Sequence, residues 1–192
     1  MHSALRPLCF TLSLVLTSIG LASCGPGADE APAADAQEMA TPENEGTLAA
    51  DLLKDWESLK TLMMEVGDAM PADSFDYKPT DELRNFGEQV MHVAGAQVGA
   101  MGRIDASAEA PDLGEPTEKA DFLQALSDSF DFGTQILQDQ TDASLQELVD
   151  GAFLGETSRA RIVYRTMTHT YSEYGIQTVY LRLNDVVPPA SR

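Results

Sequence analysis

The chain has 192 residues, of which 31 are acidic and 12 are lysine or arginine, and its formal net charge is −19 at pH 7. Nucleic-acid binding needs clustered basic residues, so this charge argues against a nucleic-acid partner and against a domain that lies flat on anionic lipid. Both cysteines, Cys9 and Cys24, lie in the first 24 residues, so no disulfide and no cysteine metal site is expected in the rest of the chain.

Residues 1–23 are predicted to form a lipoprotein signal peptide. Arg6 gives a weakly basic start, and the apolar run at 8–16 is too short to span a bilayer. The sequence Leu-Ala-Ser-Cys that ends at Cys24 fits a lipobox at all four positions, and the lipobox cysteine is acylated and becomes the mature N-terminus. The alternative is an ordinary signal peptide cleaved elsewhere, with Cys24 incidental.

Acylation of Cys24 would anchor the protein to the cell envelope, because several acyl chains on one cysteine hold a protein to a membrane durably. Gly25 follows the cysteine, where an aspartate would favour retention in the inner membrane. We therefore expect the outer membrane, facing the periplasm, in a Gram-negative cell. Residues 24–46 then form the lipidated cysteine and an acidic tether, which is predicted to be disordered because it contains no basic and no aromatic residue.

The remaining segment, 47–192, is long enough for one folded domain with a hydrophobic core. In its first predicted helix, 47–69, apolar residues recur every three or four positions. A connection containing two prolines leads to a second helix, predicted from Thr80, as N-cap, to Arg103.

A third helix is predicted at 118–139, capped by Thr117, and a fourth from Thr157 or Ser158 to about Asn184. No segment alternates clearly with a period of two, so no sheet is expected. The predicted fold class is all-α, a four-helix bundle. The aromatic residues predicted for its core are Trp56, Phe86, Phe122, Phe130 and Phe132.

The fourth helix carries polar residues on its predicted interior line. That line, at spacings of four and three, contains Ile162, Thr166, His169, Glu173, Ile176 and Tyr180. A carboxylate in an interior is costly unless it is paired or binds a metal, and helix bundles build metal sites from such groups. The other histidine of 47–192 is His92, in the middle of the second helix. From the residues alone, two interpretations remain: a metal site on His92, His169 and Glu173, or a simple pair between His169 and Glu173.

Two segments resemble the DinB-like superfamily. The sequence DYKPTDELRNFGEQVMHVA at 76–94 is similar to the second-helix pattern of that family, KPTPE-x-R-(T/S)FGEQ followed by two hydrophobic residues and a histidine. The sequence HTYSEYG that begins at His169, followed by YLRLNDVVPPAS, resembles its last helix, where H-x3-H precedes YLR-x-(N/K)-G-(I/V)-(I/V)-PP-x-S. The resemblance covers essentially all of 47–192 and implies a metal held by three histidines. By position these are His92, His169 and Glu173, so a carboxylate replaces the third histidine, and Asp185 replaces the usual glycine.

The resemblance implies a metal-dependent enzyme of transferase or hydrolase type, because relatives use an open metal position to activate a thiol or water. Two histidines and one glutamate suit Zn²⁺ and Fe²⁺, and imidazole also suits Ni²⁺. Tyr174, Gln177 and Tyr180 are candidates for a pocket beside the metal, and the small-molecule substrate is unknown. The resemblance also makes a homodimer plausible. The alternative is a non-catalytic binding or structural lipoprotein with a degenerate metal site, which Glu173 and the exported location favour.

Overall fold

A computed structural model describes residues 46–192. The signal peptide, Cys24 and the tether up to residue 45 lie outside the described residues. The four predicted helices are present: α1 is Leu48–Ala69, α2 is Phe86–Met101, α3 is Lys119–Gln138 and α4 is Arg159–Leu183. Helices α1 and α2 each pack against α3 and α4, which confirms the all-α bundle. Within 46–192, no helix is both long enough and apolar enough to cross a membrane.

Helix α2 begins five residues later than predicted. Its N-cap is Asn85, whose side chain accepts a hydrogen bond from the Glu88 backbone N–H at 2.6 Å, while the Asn85 N–H donates to the Glu88 carboxylate at 2.7 Å. This reciprocal capping box satisfies two backbone donors at once. The prediction of Thr80 as the cap was therefore wrong, and the helix also ends two residues before Arg103.

The start of α3 differs from the prediction, and the start of α4 refines it. Helix α3 has Glu118 at its N-cap position, without a side-chain hydrogen bond, so Thr117 is not the cap. Helix α4 is capped by Ser158, whose hydroxyl accepts a hydrogen bond from the Arg161 N–H at 3.3 Å. Of the two starts considered for this helix, Ser158 is thus the one observed.

A small hairpin precedes α4, and the expectation of no sheet was wrong. Strand β1, Leu148–Asp150, pairs antiparallel with strand β2, Glu156–Ser158. Each strand has only three residues, which is too short for an alternating pattern to be recognised in the sequence. The hairpin turn ends at Gly155, whose φ of +67° is a conformation that glycine adopts without strain.

The core is built around aromatic residues of α1 and α3. The side chain of Trp56 is fully buried, and its indole Nε1 donates a hydrogen bond to the Phe130 carbonyl at 3.0 Å. The same ring lies against the backbone of α3 at Gly133, where a Cβ would overlap it. Of the aromatic residues predicted for the core, Trp56, Phe86, Phe130 and Phe132 are buried, and Phe122 is partly buried against them.

The interior line of α4 is shifted relative to the predicted one. The buried residues that follow spacings of four and three along this line are Thr166, Thr170, Glu173, Gln177 and Tyr180. Ile176 was predicted to lie inside, but its side chain is 40% exposed. The interface of α4 with α2 is therefore largely polar, and its buried groups need hydrogen-bond partners from the neighbouring helices.

One set of partners lies in the middle of the bundle. Gln97 on α2 donates from its amide to the Thr170 hydroxyl at 3.2 Å, and it accepts a hydrogen bond from Ser129 on α3 at 2.7 Å. Thr170 in turn donates to the carbonyl of Thr166 at 3.0 Å. This buried chain links three helices and fixes the rotation of α4 against α2.

Candidate metal centre

Helices α2 and α4 bring His92, His169 and Glu173 together. The Nε2 atoms of the two histidines are 3.2 Å apart. The Oε1 atom of Glu173 lies 3.4 Å from Nε2 of His169 and 3.8 Å from Nε2 of His92. Three potential ligand atoms from two helices thus form one small triangle. Within residues 46–192, no other group of three His, Cys, Asp or Glu side chains converges in this way.

The triangle has the dimensions of a metal site. Ligand bonds of about 2.0–2.2 Å in a tetrahedral zinc site place two ligand atoms about 3.3–3.6 Å apart. The three separations here, 3.2, 3.4 and 3.8 Å, lie around that range. Two imidazoles and one carboxylate also form a donor set that suits Zn²⁺ or Fe²⁺ and leaves coordination positions open. The residues present therefore fit a divalent ion.

The surroundings favour the metal-binding form of His92. Partial burial lowers the pKa of this imidazole, and the positive charge of Arg84 lowers it further, against the opposing effect of the Glu173 carboxylate. A lowered pKa keeps the imidazole neutral near pH 7, and only the neutral ring can bind a metal. Glu173 itself is buried, with 8% of its surface exposed, so its carboxylate needs partners inside the protein.

Gln89 supplies one such partner. Its amide nitrogen donates a hydrogen bond to Oε2 of Glu173, which leaves Oε1 facing the two imidazoles. Gln89 is buried and lies on α2 one turn before His92. This residue was not among the predicted site residues, although its spacing of three from His92 places both side chains on one helix face. Partners of this kind orient metal ligands and strengthen binding.

The three residues predicted for a pocket have different positions. Tyr180 is buried and donates a hydrogen bond from its hydroxyl to the Arg84 carbonyl at 2.8 Å. It lines a cavity of about 590 Å³ together with Gln89 and Glu173. Tyr174 is half-buried against the core, and Gln177 is fully buried. Neither of these two lines that cavity. Within 46–192, the side-chain amide of Gln177 has no hydrogen-bond partner.

The fold and the triangle of side chains define a four-helix bundle with a candidate divalent-metal centre between α2 and α4. The family model of the DinB superfamily matches residues 52–176, which include all three candidate ligands. The chain therefore belongs to the DinB superfamily.

Two solved structures share the fold. The crystal structure of a DinB-like protein from Bacillus cereus ATCC 10987 is similar with a TM-score of 0.62 and 17% sequence identity, covering 74% of this chain and 96% of that chain. A DinB-like protein from Bacillus subtilis, YjoA, is similar with a TM-score of 0.59 and 19% identity, covering 70% and 92% of the two chains. At these identities the similarity shows the fold alone. No functionally curated protein matches the chain.

Proposed function

We propose that this protein is a metal-dependent enzyme of transferase or hydrolase type, with a divalent ion held by His92, His169 and Glu173. The observation that carries the proposal is the convergence of their three ligand atoms at separations of 3.2–3.8 Å. Three protein ligands are typical of catalytic zinc sites, whereas structural sites use four. When bound, such an ion would polarise a carbonyl group or lower the pKa of a bound water.

The residues around the centre have separate tasks in this proposal. Gln89 holds the carboxylate of Glu173 in place through Oε2, and the charge of Arg84 helps to keep His92 neutral. Two cavities border the centre. Glu173 lines the cavity of about 590 Å³, and His169 lines a second cavity of about 410 Å³. We expect a small molecule to approach the bound ion through one of these cavities.

A second candidate function is a binding or structural protein without catalysis. The observation that favours it is Glu173 itself. A carboxylate ligand leaves the bound ion with less net positive charge than a third neutral histidine would, so the ion would activate water or a thiol less strongly. Both candidate functions use the same three ligands. They differ in whether the bound ion has an open coordination position.

Metal binding is tested on the purified protein after removal of metal with a chelator. We expect calorimetry to show one Zn²⁺ per chain, with affinity falling as the pH is lowered through the range in which histidines are protonated. Because the ion binds only the folded state, Zn²⁺ at 100 times its Kd should stabilise the protein by about 2.7 kcal/mol. Absence of binding heat and of any shift in Tm with Zn²⁺, Ni²⁺ and Fe²⁺ would refute the proposal.

The same protein loaded with Co²⁺ distinguishes the two candidates. An open coordination position should bind added azide, and the visible absorption spectrum of Co²⁺ should then change. A spectrum that azide leaves unchanged would support the non-catalytic candidate.

We further propose that the domain is anchored to the cell envelope through a lipid on Cys24, which the Leu-Ala-Ser-Cys sequence supports. In cells, Cys24→Ala should prevent incorporation of radiolabelled fatty acid and should move the protein from the membrane fraction to the soluble fraction, because the anchor is lost. Cys9→Ala is the matched control and should change neither result. Label that still enters the Cys24→Ala variant would contradict a lipid on this residue.

A further inference from the structure

A cavity of about 410 Å³ lies between α2, α4 and the turn of the hairpin, and His169 is one of its lining residues. The side of this cavity formed by α2 consists of small residues, Ala96, Gly99 and Ala100. Arg103, which follows the end of α2, and Arg165 of α4 also line it. We refer to this space as the arginine cavity.

The arginine cavity is lined by basic side chains in an otherwise acidic protein. The chain has a net charge of −19, yet the lining of the cavity contains two arginines and no acidic residue. Within 46–192, the side chain of Arg165 forms no ion pair or hydrogen bond. Arg103 has only long contacts with Asp150, 3.8 Å to its carboxylate and 3.5 Å to its carbonyl. The Arg165 guanidinium is therefore unpaired, and Arg103 could exchange its long contacts with Asp150 for an anion. The planar donors of both groups match carboxylate and phosphate groups.

Gly99 keeps the α2 side of the arginine cavity open. No atom of the described chain lies within 4 Å of a Cβ placed at Gly99, so packing within the protein does not require glycine. What the missing side chain leaves open is the arginine cavity itself.

The hairpin turn contributes an apolar surface to the mouth of the cavity. Phe153 lines the cavity but is 87% exposed. The preceding residue, Ala152, has a φ of +55°, a conformation that is uncommon for residues other than glycine, and its N–H donates to the Asp150 carboxylate at 2.9 Å. This turn holds the phenyl ring where an apolar ligand would cover it.

We propose that the arginine cavity binds a small organic anion as the substrate of the neighbouring metal centre. Its carboxylate or phosphate group would be held by Arg103 and Arg165, and its apolar body would lie between Gly99 and Phe153, with one end towards His169. The role as substrate rests on the proposed function of the centre. Binding of the anion itself rests only on the cavity, so it can be tested without metal.

The test uses chelator-stripped protein and three probes of equal ring size: 2-naphthoate, 2-naphthyl phosphate and the neutral 2-naphthylmethanol. We expect at least one anion to bind about tenfold or more tighter than the alcohol, because hydrogen bonds with two charged partners are the stronger ones. Preference for naphthoate identifies a carboxylate ligand, and preference for naphthyl phosphate identifies a phosphate ligand. Equal binding of all three probes, or no binding of either anion, would overturn the proposal.

Matched variants locate the binding. Arg165→Gln should weaken anion binding about tenfold, whereas Arg161→Gln should not, because Arg161 lies on the same helix but does not line the cavity. Gly99→Leu should fill the cavity and abolish binding. Gly95→Leu is its control, since Gly95 also has no atom within 4 Å of its Cβ position and lies outside the cavity.

Far-UV circular dichroism verifies the fold of each variant. If Gly99→Leu fails to fold, the test rests on Arg165→Gln, which changes an exposed residue. Equal effects of the two arginine variants would overturn the proposal. If Gly99→Leu loses anion binding but keeps its Zn²⁺ affinity, the anion binds in the arginine cavity and not on the metal ligands. If metal binding fails but the anion still binds, only the role as substrate of that centre is refuted.

Discussion

The variant His169→Ala is expected to bind Zn²⁺ more than about 100-fold more weakly than the parent protein, because loss of a residue that merely orients a ligand already costs about 10–100-fold. Glu173→Ala should have a similar effect. Glu173→His should retain or strengthen binding of Zn²⁺ and Ni²⁺, since imidazole suits both ions. Calorimetric titration of the chelator-stripped proteins measures all three affinities.

Two further variants show whether the effects belong to this centre. Gln89→Met removes the amide that holds Oε2 of Glu173 while keeping a side chain of similar length, so affinity should fall by about 10–100-fold. Glu57→Ala removes one negative charge from an exposed position on α1 and should leave the affinity unchanged. If the ligand variants bind as tightly as the parent, the ion lies elsewhere on the acidic surface.

One outcome would select the non-catalytic candidate. A parent protein that does not bind Zn²⁺, together with a Glu173→His variant that binds tightly, would mean that the carboxylate has disabled the site. The alternative of a simple pair between His169 and Glu173 explains their separation of 3.4 Å but does not require a second imidazole. His92 lies on another helix, with its Nε2 3.2 Å from that of His169. A metal centre accounts for this third side chain, and a simple pair does not.

Periodicity in the sequence predicted four helices and most of the buried aromatic residues, because their apolar positions recur at helical spacing. It did not predict the start of α2. Thr80 and Asn85 are both suitable N-cap residues, and only Asn85 has a glutamate three residues later that completes a capping box. The hairpin was missed because its strands, Leu148–Asp150 and Glu156–Ser158, have three residues each.

The candidate ligands were named from the sequence, but their geometry depends on how α4 is rotated against α2. Ile176 was predicted to lie inside, whereas its neighbour Gln177 is the buried residue. The hydrogen bonds that set this rotation, from Gln97 to Thr170 and from Gln89 to Glu173, join residues more than 70 positions apart. Polar contacts between distant helices leave no periodic signal, so neither these bonds nor the arginine cavity could be predicted.

Gly133→Ala is expected to produce the largest loss of stability among the single-residue changes considered. A Cβ at this position would overlap the ring of Trp56, which is fully buried and donates to the Phe130 carbonyl. The ring therefore cannot move away without giving up that hydrogen bond. Overpacking costs about 1–3 kcal/mol and the weakened bond about 1 kcal/mol, while the higher helix propensity of alanine returns about 1 kcal/mol. The free energy of unfolding should fall by about 1–3 kcal/mol in urea titrations followed by circular dichroism.

Gly95→Ala is the matched control for this change, because it makes the same substitution inside another helix. No atom lies within 4 Å of a Cβ at Gly95, so only the gain in helix propensity remains, and the free energy of unfolding should rise by about 0.5–1 kcal/mol. The two variants should thus shift the urea midpoint in opposite directions without changing the slope of the transition. A Gly133→Ala protein as stable as the Gly95→Ala protein would show that Trp56 does not pack against the backbone of α3, which would contradict the packing of the core described above.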